Sequence, residues 1–376
     1  MKWPEGFLSA ATSCGLYTPA RLDLGLLVSA DACHWAGVFT QNAAAAPTVH
    51  WSRKRIGIPA RAILVNSGNA NACTGEGGVA AVEREADAVA AALGCAPDEV
   101  LIASTGPIGV PLPVEAITGA VPGLLKAFTT EADGFSEAIL TSDTRTKTSI
   151  AHAGESQVVG VAKGAAMLAP NMATMLAFIT TDARVDDLQD HLSEAVAGSF
   201  NRISVDACES TNDSVFLMAS GKREVDTKVF IDALGRVCSD LAEQMVRDAE
   251  GSTKLIRIQV DGARDEATGV ALAKAVASSA LWRAAAHGGD PNWGRVASAL
   301  GAEDRGLSFK DVSIAIGATM LFHEGEPQGA GPEAAREMQG SEIVVHCKVG
   351  SGPTGVEVLA PDLSPAYVEM NAEGST

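Results

Sequence analysis

Hydrophobic positions recur in two patterns along the chain. Short runs rich in β-branched residues predict buried strands at 62–65, 100–102, 214–218, 255–260, 312–316, 343–345 and 356–359. Apolar residues at helical spacing predict amphipathic helices over about 79–93, 187–200 and 227–249. Because strands and helices interleave, the pattern indicates an α/β or mixed α+β fold. Their order is not a regular β-α-β alternation, so it does not favour a doubly wound parallel sheet.

Composition narrows the classes of function. The chain has 376 residues, of which 47% are hydrophobic and 20% charged, which is typical of a globular protein with a sizeable core. Its net charge of -18 argues against nucleic acid and anionic membranes as partners, because phosphate binding needs clustered Lys and Arg. Apolar runs such as Met175–Ile179 are far shorter than the ~20 residues of a membrane span. The N-terminus lacks the apolar segment of a secretory signal. We therefore expect a cytoplasmic protein.

Cysteine and histidine spacing gives no metal signature. The seven cysteines are scattered and no Cys-x-x-Cys occurs, so neither a zinc ribbon nor a disulfide framework is indicated. The seven histidines form no H-E-x-x-H pair. We expect no structural metal.

The segment KGAAMLAPNMATMLAF, residues 163–178, carries the most specific candidate chemistry. A turn at Pro170 and Asn171 precedes a predicted strand, residues 174–181. A hydroxyl at the start of that strand suits self-cleavage, in which Thr174 attacks the carbonyl of Ala173 and the resulting ester hydrolyses. The freed Thr174 then combines a nucleophile with an α-amine of pKa near ~8, which can serve as general base. From composition alone, a threonine on an ordinary core strand is the commoner explanation.

Two loops that follow predicted strands are candidates for a substrate pocket. In the first, Thr105 and Gly106 place a hydroxyl beside a glycine N–H, which suits an oxyanion hole as well as an ordinary turn. The second, residues 66–78, precedes a helix but has neither G-x-G-x-x-G nor G-K-[ST], so no nucleotide signature is met.

Three further segments have simpler interpretations. Residues 206–213 are acidic without EF-hand spacing, and we expect a solvated or hydrogen-bonded loop. Glu250 follows a long helix as a possible surface charge, and Gly251 is its predicted C-cap. Residues 287–295 contain so many turn-forming residues that neither helix nor strand is expected.

Taken together, these segments resemble the ornithine acetyltransferases, the glutamate N-acetyltransferases of arginine biosynthesis. The similarity extends from about Ala36 to the last residues. It is carried, in the family's order, by VNSGNANACTG, STGPIG, SDTRTK, KGAAMLAPNMATMLAFITTDA, NRISVDACESTND, DAEGSTKL and GGDPNWGR. So many ordered motifs make the resemblance specific, and it outweighs the simpler interpretations of single segments.

The resemblance implies a layered αββα fold related to the DmpA aminopeptidases. It implies a cut between Ala173 and Thr174 into two chains, residues 1–173 and 174–376, which stay together and pair into an α₂β₂ heterotetramer. It further implies a ping-pong transfer of acetyl from N2-acetyl-L-ornithine to L-glutamate through an acetyl-Thr174 ester, with no cofactor. Acetyl-CoA is a second candidate donor.

The resemblance also assigns site residues. Thr105 and Gly106 would stabilise the oxyanion. The family's substrate-binding positions correspond here to Thr144, Lys163, Thr174, Glu250, Asn371 and Thr376. A lysine and a glutamate suit substrates that carry both an α-carboxylate and an α-amine.

The chain departs from the family at its tail, where no aromatic residue follows Asn371 in NAEGST. This departure affects the segment in which the resemblance assigns Thr376 to substrate binding. An alternative from another reaction class is an N-terminal-threonine amidohydrolase or aminopeptidase on the same fold, with water as acceptor. Thr144, Lys163 and Glu250 favour an amino-acid acceptor. A non-catalytic homologue would lack Thr174 or Thr105, and both are present.

Overall fold

The computed structural model describes residues 1–167, 175–329 and 331–373. Within these ranges the strands are β1 Phe7–Thr12, β2 Leu24–Phe39, β3 Ala60–Asn66, β4 Val100–Ser104, β5 Lys147–Ala153, β6 Ser156–Lys163, β7 Leu176–Arg184, β8 Ser214–Glu224, β9 Leu255–Ala263, β10 Ser313–Ile316, β11 Thr319–His323, β12 Glu326–Pro327, β13 Glu342–Lys348 and β14 Thr354–Pro361. The α-helices are α1 Pro47–Arg53, α2 Gly75–Leu93, α3 Val114–Leu124, α4 Asp133–Ala138, α5 Leu188–Ala197, α6 Thr227–Arg247, α7 Glu266–Ala277, α8 Ala280–Gly288, α9 Trp293–Glu303, α10 Gly331–Glu337 and α11 Pro365–Glu373.

The long strand β2 joins the two halves of the first sheet, whose order is β4-β3-β2-β8-β7-β6-β5 with β1 also on β2. Residues 24–28 of β2 pair with β3, whereas residues 34–39 pair with β8. The register shifts between these two stretches. One strand therefore serves two half-sheets, β1–β4 and β5–β8, and lets them pack face to face.

Side-chain alternation along the strands builds the layers. On β3, Ile63 faces the space between the half-sheets, whereas Leu64 faces α2 and α3. On β8, Phe216 faces that same central space, whereas Val215 and Leu217 face α5 and α6. Both faces of each half-sheet are thus buried, which explains the continuous apolar runs in the sequence. The layered αββα expectation is confirmed.

Aromatic rings fill the central layer. Phe178 and Phe216 are stacked with centroids 5.6 Å apart, and Phe135 meets Phe178 edge-on at 5.1 Å. Trp35 packs on the same group, with its ring centroid 6.1 Å from that of Phe216. Rings from β2, β7, β8 and α4 therefore share one aromatic cluster in the layer between the half-sheets.

Residues 255–361 contribute a second sheet, of order β12-β11-β10-β13-β9-β14, with its own core that includes α7, α8 and α9. Arg257 on β9 joins this sheet to α6, because its guanidinium contacts Glu243 and Glu342 at 2.6 Å each. The loop that follows α6, residues 248–254, connects that helix to β9 of the second sheet.

The predicted strands are all present, and the predicted helices correspond to α2, α5 and α6. The expectation for residues 287–295 is wrong, because α8 continues to Gly288 and α9 begins at Trp293. Only a short turn, with Gly289 at φ +74°, separates them. At the end of α8, His287 contacts the loop that follows β14, since its Nδ1 lies 2.7 Å from Asp362 Oδ2. The cluster of turn-forming residues marks the junction of two helices rather than an open loop.

No helix in the described part of the chain is both long and apolar enough to span a membrane. All seven cysteines are free.

A buried carboxyl group on α2 gives a testable pH dependence. Glu85 is 1% exposed, and its Oε2 has no hydrogen-bond partner in the described part of the chain. Burial raises the pKa of Glu85 from 4.5 to about 8. Between these values the folded state binds more protons than the unfolded state, so the free energy of unfolding falls as pH rises, by up to about 1.4 kcal/mol per pH unit.

Glu85→Gln stays neutral and should lack this slope. Urea unfolding at pH 5 to 8 should therefore show the variant gaining stability relative to the wild type as pH rises. Glu83→Gln, at an exposed position on the same helix, is the matched control and should keep the wild-type slope. Parallel pH profiles for wild type and Glu85→Gln would contradict the prediction.

Candidate functional site

Two strand ends meet across the central layer and form the core of the site. Val159 and Val161 of β6 face that layer, and Lys163 is the next residue in the same alternation. Thr105 directly follows β4, on the opposite half-sheet. The Lys163 ammonium donates a hydrogen bond to Thr105 Oγ1 at 3.0 Å, although Lys163 is only 3% exposed and Thr105 only 4%.

The backbone beside Thr105 is held by the loop that follows β3. Asn69 N–H donates to the Thr105 carbonyl at 3.0 Å, and Thr105 N–H donates to the Asn66 carbonyl at 3.0 Å. Gly106 has a φ of +139°, and a Cβ there would lie 2.4 Å from the backbone nitrogen of Asn69. Both the conformation and the close approach therefore require glycine at this position.

Lys163 is a buried cation, and nearby charges decide its protonation. Burial lowers the pKa of its ammonium below the ordinary value, and Lys147 acts in the same direction. The carboxyl groups of Asp143, Asp213 and Glu250 oppose this shift. The site thus gathers acidic groups around one desolvated ammonium, as burial of a charge requires.

Asp143 links Lys163 to a second buried lysine. Its Oδ1 accepts from Lys147 Nζ at 2.6 Å and from Gly164 N–H at 2.7 Å. Burial alone would raise the pKa of Asp143, but Lys163, Lys147 and these hydrogen bonds lower it to about 2. Lys147 Nζ also lies 2.5 Å from Asp248 Oδ2, so two carboxylates share one ammonium.

Thr144 lies at the edge of this network. Its hydroxyl donates to Asp248 Oδ1 and its N–H donates to Asp248 Oδ2 at 3.1 Å. The residue is exposed, and its side chain does not line the cavity beside Lys163. Of the candidate substrate residues that the structure describes, two do not line that cavity, namely Thr144 and Glu250.

Glu250 is buried, not a surface charge. Its N–H donates to the Ala165 carbonyl at 2.9 Å, which ties the loop after α6 to the chain after β6. Its Oε2 accepts from Asn371 Nδ2 at 2.9 Å, whereas Oε1 is buried and has no hydrogen-bond partner among the residues that the structure describes. One carboxylate oxygen therefore remains available to a donor.

The C-terminal helix α11 covers this loop. The backbone nitrogen of Tyr367 comes so near Gly251 that a Cβ on the glycine would lie 2.4 Å from it. Gly251, at φ +65°, is thus a packing position, and Asp248 rather than Gly251 caps α6. Ser364 Oγ donates to the Gly251 carbonyl at 2.5 Å.

A cavity of about 170 Å³ opens between these elements. It brings together three of the predicted site residues, Thr105, Gly106 and Lys163, with a fourth, Asn371, on α11. Its other lining residues are Ala70, Ile108, Thr141, Ser142, Ala166, Met167, Asp206, Cys208, Ser210, Thr211, Asn212 and Tyr367. Ala173, Thr174 and Thr376 lie outside the described residues.

Several residues that organise the site were not singled out from the sequence. Asn212 Nδ2 donates to the carbonyls of Ala70 and Ser104, at 2.7 and 2.8 Å, and so ties β8 to the loops of the facing half-sheet. Asp143 and Asp213 place carboxyl groups around Lys163. Asp213 directly precedes β8 and Asn212 stands one residue earlier, but Asn and Asp also stand beside strands in many solvated loops, so their position alone does not mark a site.

No cluster of three or more His, Cys, Asp or Glu side chains with metal-binding geometry occurs in residues 1–167, 175–329 and 331–373.

Comparison with known proteins covers almost the whole chain. The model of the ArgJ family matches residues 8–376. The chain is 42% identical over 377 residues to the arginine biosynthesis bifunctional protein ArgJ of Thermus thermophilus, covering 99% of this chain and 98% of the relative. It is 41% identical over 396 residues to the protein of the same name from Gloeobacter violaceus, covering 99% and 97%. The crystal structure of the Bacillus halodurans arginine biosynthesis bifunctional protein ArgJ is 35% identical with a TM-score of 0.50, covering 52% of this chain and 98% of that one.

The close approach at Gly106 predicts a difference between two glycines of one loop. Gly106→Ala adds a Cβ against the Asn69 backbone at a φ that only glycine adopts readily, so we expect a loss of about 3 kcal/mol or more in the free energy of unfolding. Gly109→Ala is the matched control, because Gly109 has φ +80° but nothing within 4 Å of its Cβ position. It should lose about 1–2 kcal/mol. Equal losses in denaturant titrations would contradict the prediction.

Proposed function

The chain belongs to the ArgJ family, and from that premise we propose that it is an acyltransferase of arginine biosynthesis that carries acetyl from N2-acetyl-L-ornithine to L-glutamate. The observation that carries the proposal is the buried contact of Lys163 with Thr105, 3.0 Å long, at the end of the sandwich where β7 begins. Thr174 stands two residues before the first residue of β7 in the sequence.

The reaction proceeds through an ester on Thr174. Its hydroxyl oxygen attacks the acetyl carbonyl of N2-acetyl-L-ornithine, and its own α-amine takes the hydroxyl proton. The tetrahedral intermediate expels the ornithine amine, which receives that proton as it leaves. The α-amine of glutamate then attacks the ester and releases N-acetylglutamate, and its proton returns to the Thr174 oxygen. Every bond and proton in the transfer is thus accounted for by the two substrates and Thr174, without a cofactor.

Thr105 and Gly106 stabilise the oxyanion. The Lys163 ammonium can only donate, so Thr105 Oγ1 accepts that hydrogen bond and keeps its own O–H free to donate elsewhere. The Gly106 N–H makes no backbone hydrogen bond within the described residues. Two donors thus lie side by side where negative charge develops, in a water-poor setting that strengthens them.

Glu250 and Asn371 support recognition of an amino-acid substrate. The unpartnered Oε1 of Glu250 is an acceptor suited to an ammonium group of ornithine or glutamate, and Asn371 fixes the other oxygen. We assign Lys163, Thr144 and Thr376 to substrate binding as well. The Thr144 hydroxyl donates to Asp248 Oδ1, so toward a substrate its oxygen acts as an acceptor.

Cleavage between Ala173 and Thr174 divides the chain into residues 1–173 and 174–376. Strand β7 lies between β6 and β8 and pairs with six residues of β6, Val158–Lys163, so both products belong to one sheet and stay together. The matched B. halodurans chain aligns over 98% of its length to only 52% of this one, a size that fits one product of such a cut.

We extend the proposal to assembly, donor and location. Two copies of each product form a heterotetramer, and the enzyme is cytoplasmic. Acetyl-CoA serves as a second donor through the same acetyl-Thr174 ester, in keeping with the word "bifunctional" in the relatives' names.

Processing gives the first test. The 38.5 kDa chain divides in the ratio 173 to 203 residues, so denaturing electrophoresis should show bands of about 18 and 21 kDa. N-terminal sequencing of the larger band should begin Thr-Met-Leu-Ala. Thr174→Ala should remain uncut and inactive, whereas Thr174→Ser keeps a hydroxyl and should still cleave. A single full-length band from active enzyme would refute the N-terminal nucleophile.

The acyl acceptor gives the second test. With N2-acetyl-L-ornithine alone, the enzyme should release one equivalent of ornithine per site in a burst, and intact mass should show an acetyl group on the chain that begins at Thr174. Glutamate should then restart turnover and yield N-acetylglutamate. Steady ornithine release and free acetate without glutamate would identify water as acceptor, and the amidohydrolase alternative would replace the transferase.

A further inference from the structure

Both peptide groups of Met175 are held by neighbouring residues of the β8 end. Asp213 Oδ1 accepts a hydrogen bond from Met175 N–H at 2.9 Å. Ser214 N–H donates to the Met175 carbonyl at 3.1 Å. Two adjacent residues therefore hold the N–H and the carbonyl of one residue, and that residue is joined by a peptide bond to Thr174.

The Asp213 carboxyl group is buried beside the Met175 backbone. The residue is 0% exposed, and its Oδ2 is buried with no hydrogen-bond partner within residues 1–167, 175–329 and 331–373. Burial raises the pKa of Asp213 well above its ordinary value, although the Met175 N–H, the Lys163 charge and the Ser210 hydroxyl act in the opposite direction. The hydrogen bond from the Met175 N–H needs only an acceptor oxygen on the carboxyl group, and Oδ1 supplies it.

We propose that Asp213 is a positioning residue for the nucleophile: its carboxyl group and the Ser214 N–H together fix the backbone of Met175, to which Thr174 is joined by a peptide bond. This inference rests on the proposed function, in which Thr174 is the nucleophile. No proton passes through Asp213 in the reaction.

The consequence is a dependence of rate on geometry. Reacting groups must be held within a fraction of an ångström, and a displacement of 1 Å can cost about 10²-fold in rate. Removing the Asp213 acceptor frees the Met175 N–H and loosens the chain just after Thr174. Because Asp213 does not line the cavity, substrate binding is left largely as it was.

The test compares Asp213→Ala with the neutral isostere Asp213→Asn in enzyme that contains both cleavage products, with kcat expressed per cleaved chain. Asp213→Ala should lower kcat about 10²-fold with KM changed less than about threefold, and should slow self-cleavage. Asp213→Asn keeps an oxygen acceptor for Met175 N–H and should keep kcat within about fivefold of the wild type. If Asp213→Ala does not fold, Asp213→Ser, whose shorter side chain does not reach that N–H, takes its place.

Asp182→Ala is the matched control. Asp182 is a buried aspartate near the far end of β7 whose Oδ1 likewise accepts a backbone N–H, that of Gln157, at 2.9 Å. Its loss should lower the melting temperature but leave kcat near the wild-type value.

Two outcomes would overturn the inference. If Asp213→Asn loses as much kcat as Asp213→Ala, the ionised carboxylate and not the hydrogen bond matters. If Asp213→Ala raises KM and leaves kcat unchanged, Asp213 acts on substrate binding. Failure of the proposed function is seen separately, because the wild-type enzyme would then form no acetyl-Thr174 with N2-acetyl-L-ornithine.

Discussion

The desolvated ammonium of Lys163 is the constraint around which the end of the sandwich is built. A charge taken out of water is tolerated only where opposite charge and hydrogen-bond acceptors surround it. Three chain segments supply them, namely the loop before β5 with Asp143, the loop before β8 with Asp213, and the loop after α6 with Glu250. Each of these segments also makes another contact of the site. The need to surround the Lys163 ammonium with acidic groups therefore determines which segments meet at the pocket.

Much of the fold could be predicted from the sequence, and the layered arrangement followed from family resemblance rather than from periodicity. Runs such as Val215–Met218 mark strands correctly, but they show no polar alternation because both faces of the half-sheet are buried. The pattern therefore locates the strand without telling which face meets the aromatic layer. The double role of β2 was equally hidden, since the switch of partners within one strand depends on distant residues.

In the site, as in the fold, sequence motifs identified some features, whereas others depend on contacts between segments far apart in the chain. Motifs identified Thr105, Gly106, Lys163 and Asn371, which the structure gathers around one cavity. They could not separate Thr144, which is exposed and bound to Asp248, from these four. Residues 287–295 were misjudged because glycine, proline and asparagine are as compatible with a tight helix-to-helix turn as with a loop.

The place of β7 between β6 and β8 has a consequence for how the protein loses its structure. While the chain is continuous, folding of the sheet is a unimolecular event whose loop closure is assisted by the covalent link. After a cut before Thr174, unfolding would release two separate molecules, and recovery would depend on their concentration. The persistence of the working protein would then be set by the rate at which the hydrogen-bonded ladder between β6 and β7 opens rather than by an equilibrium.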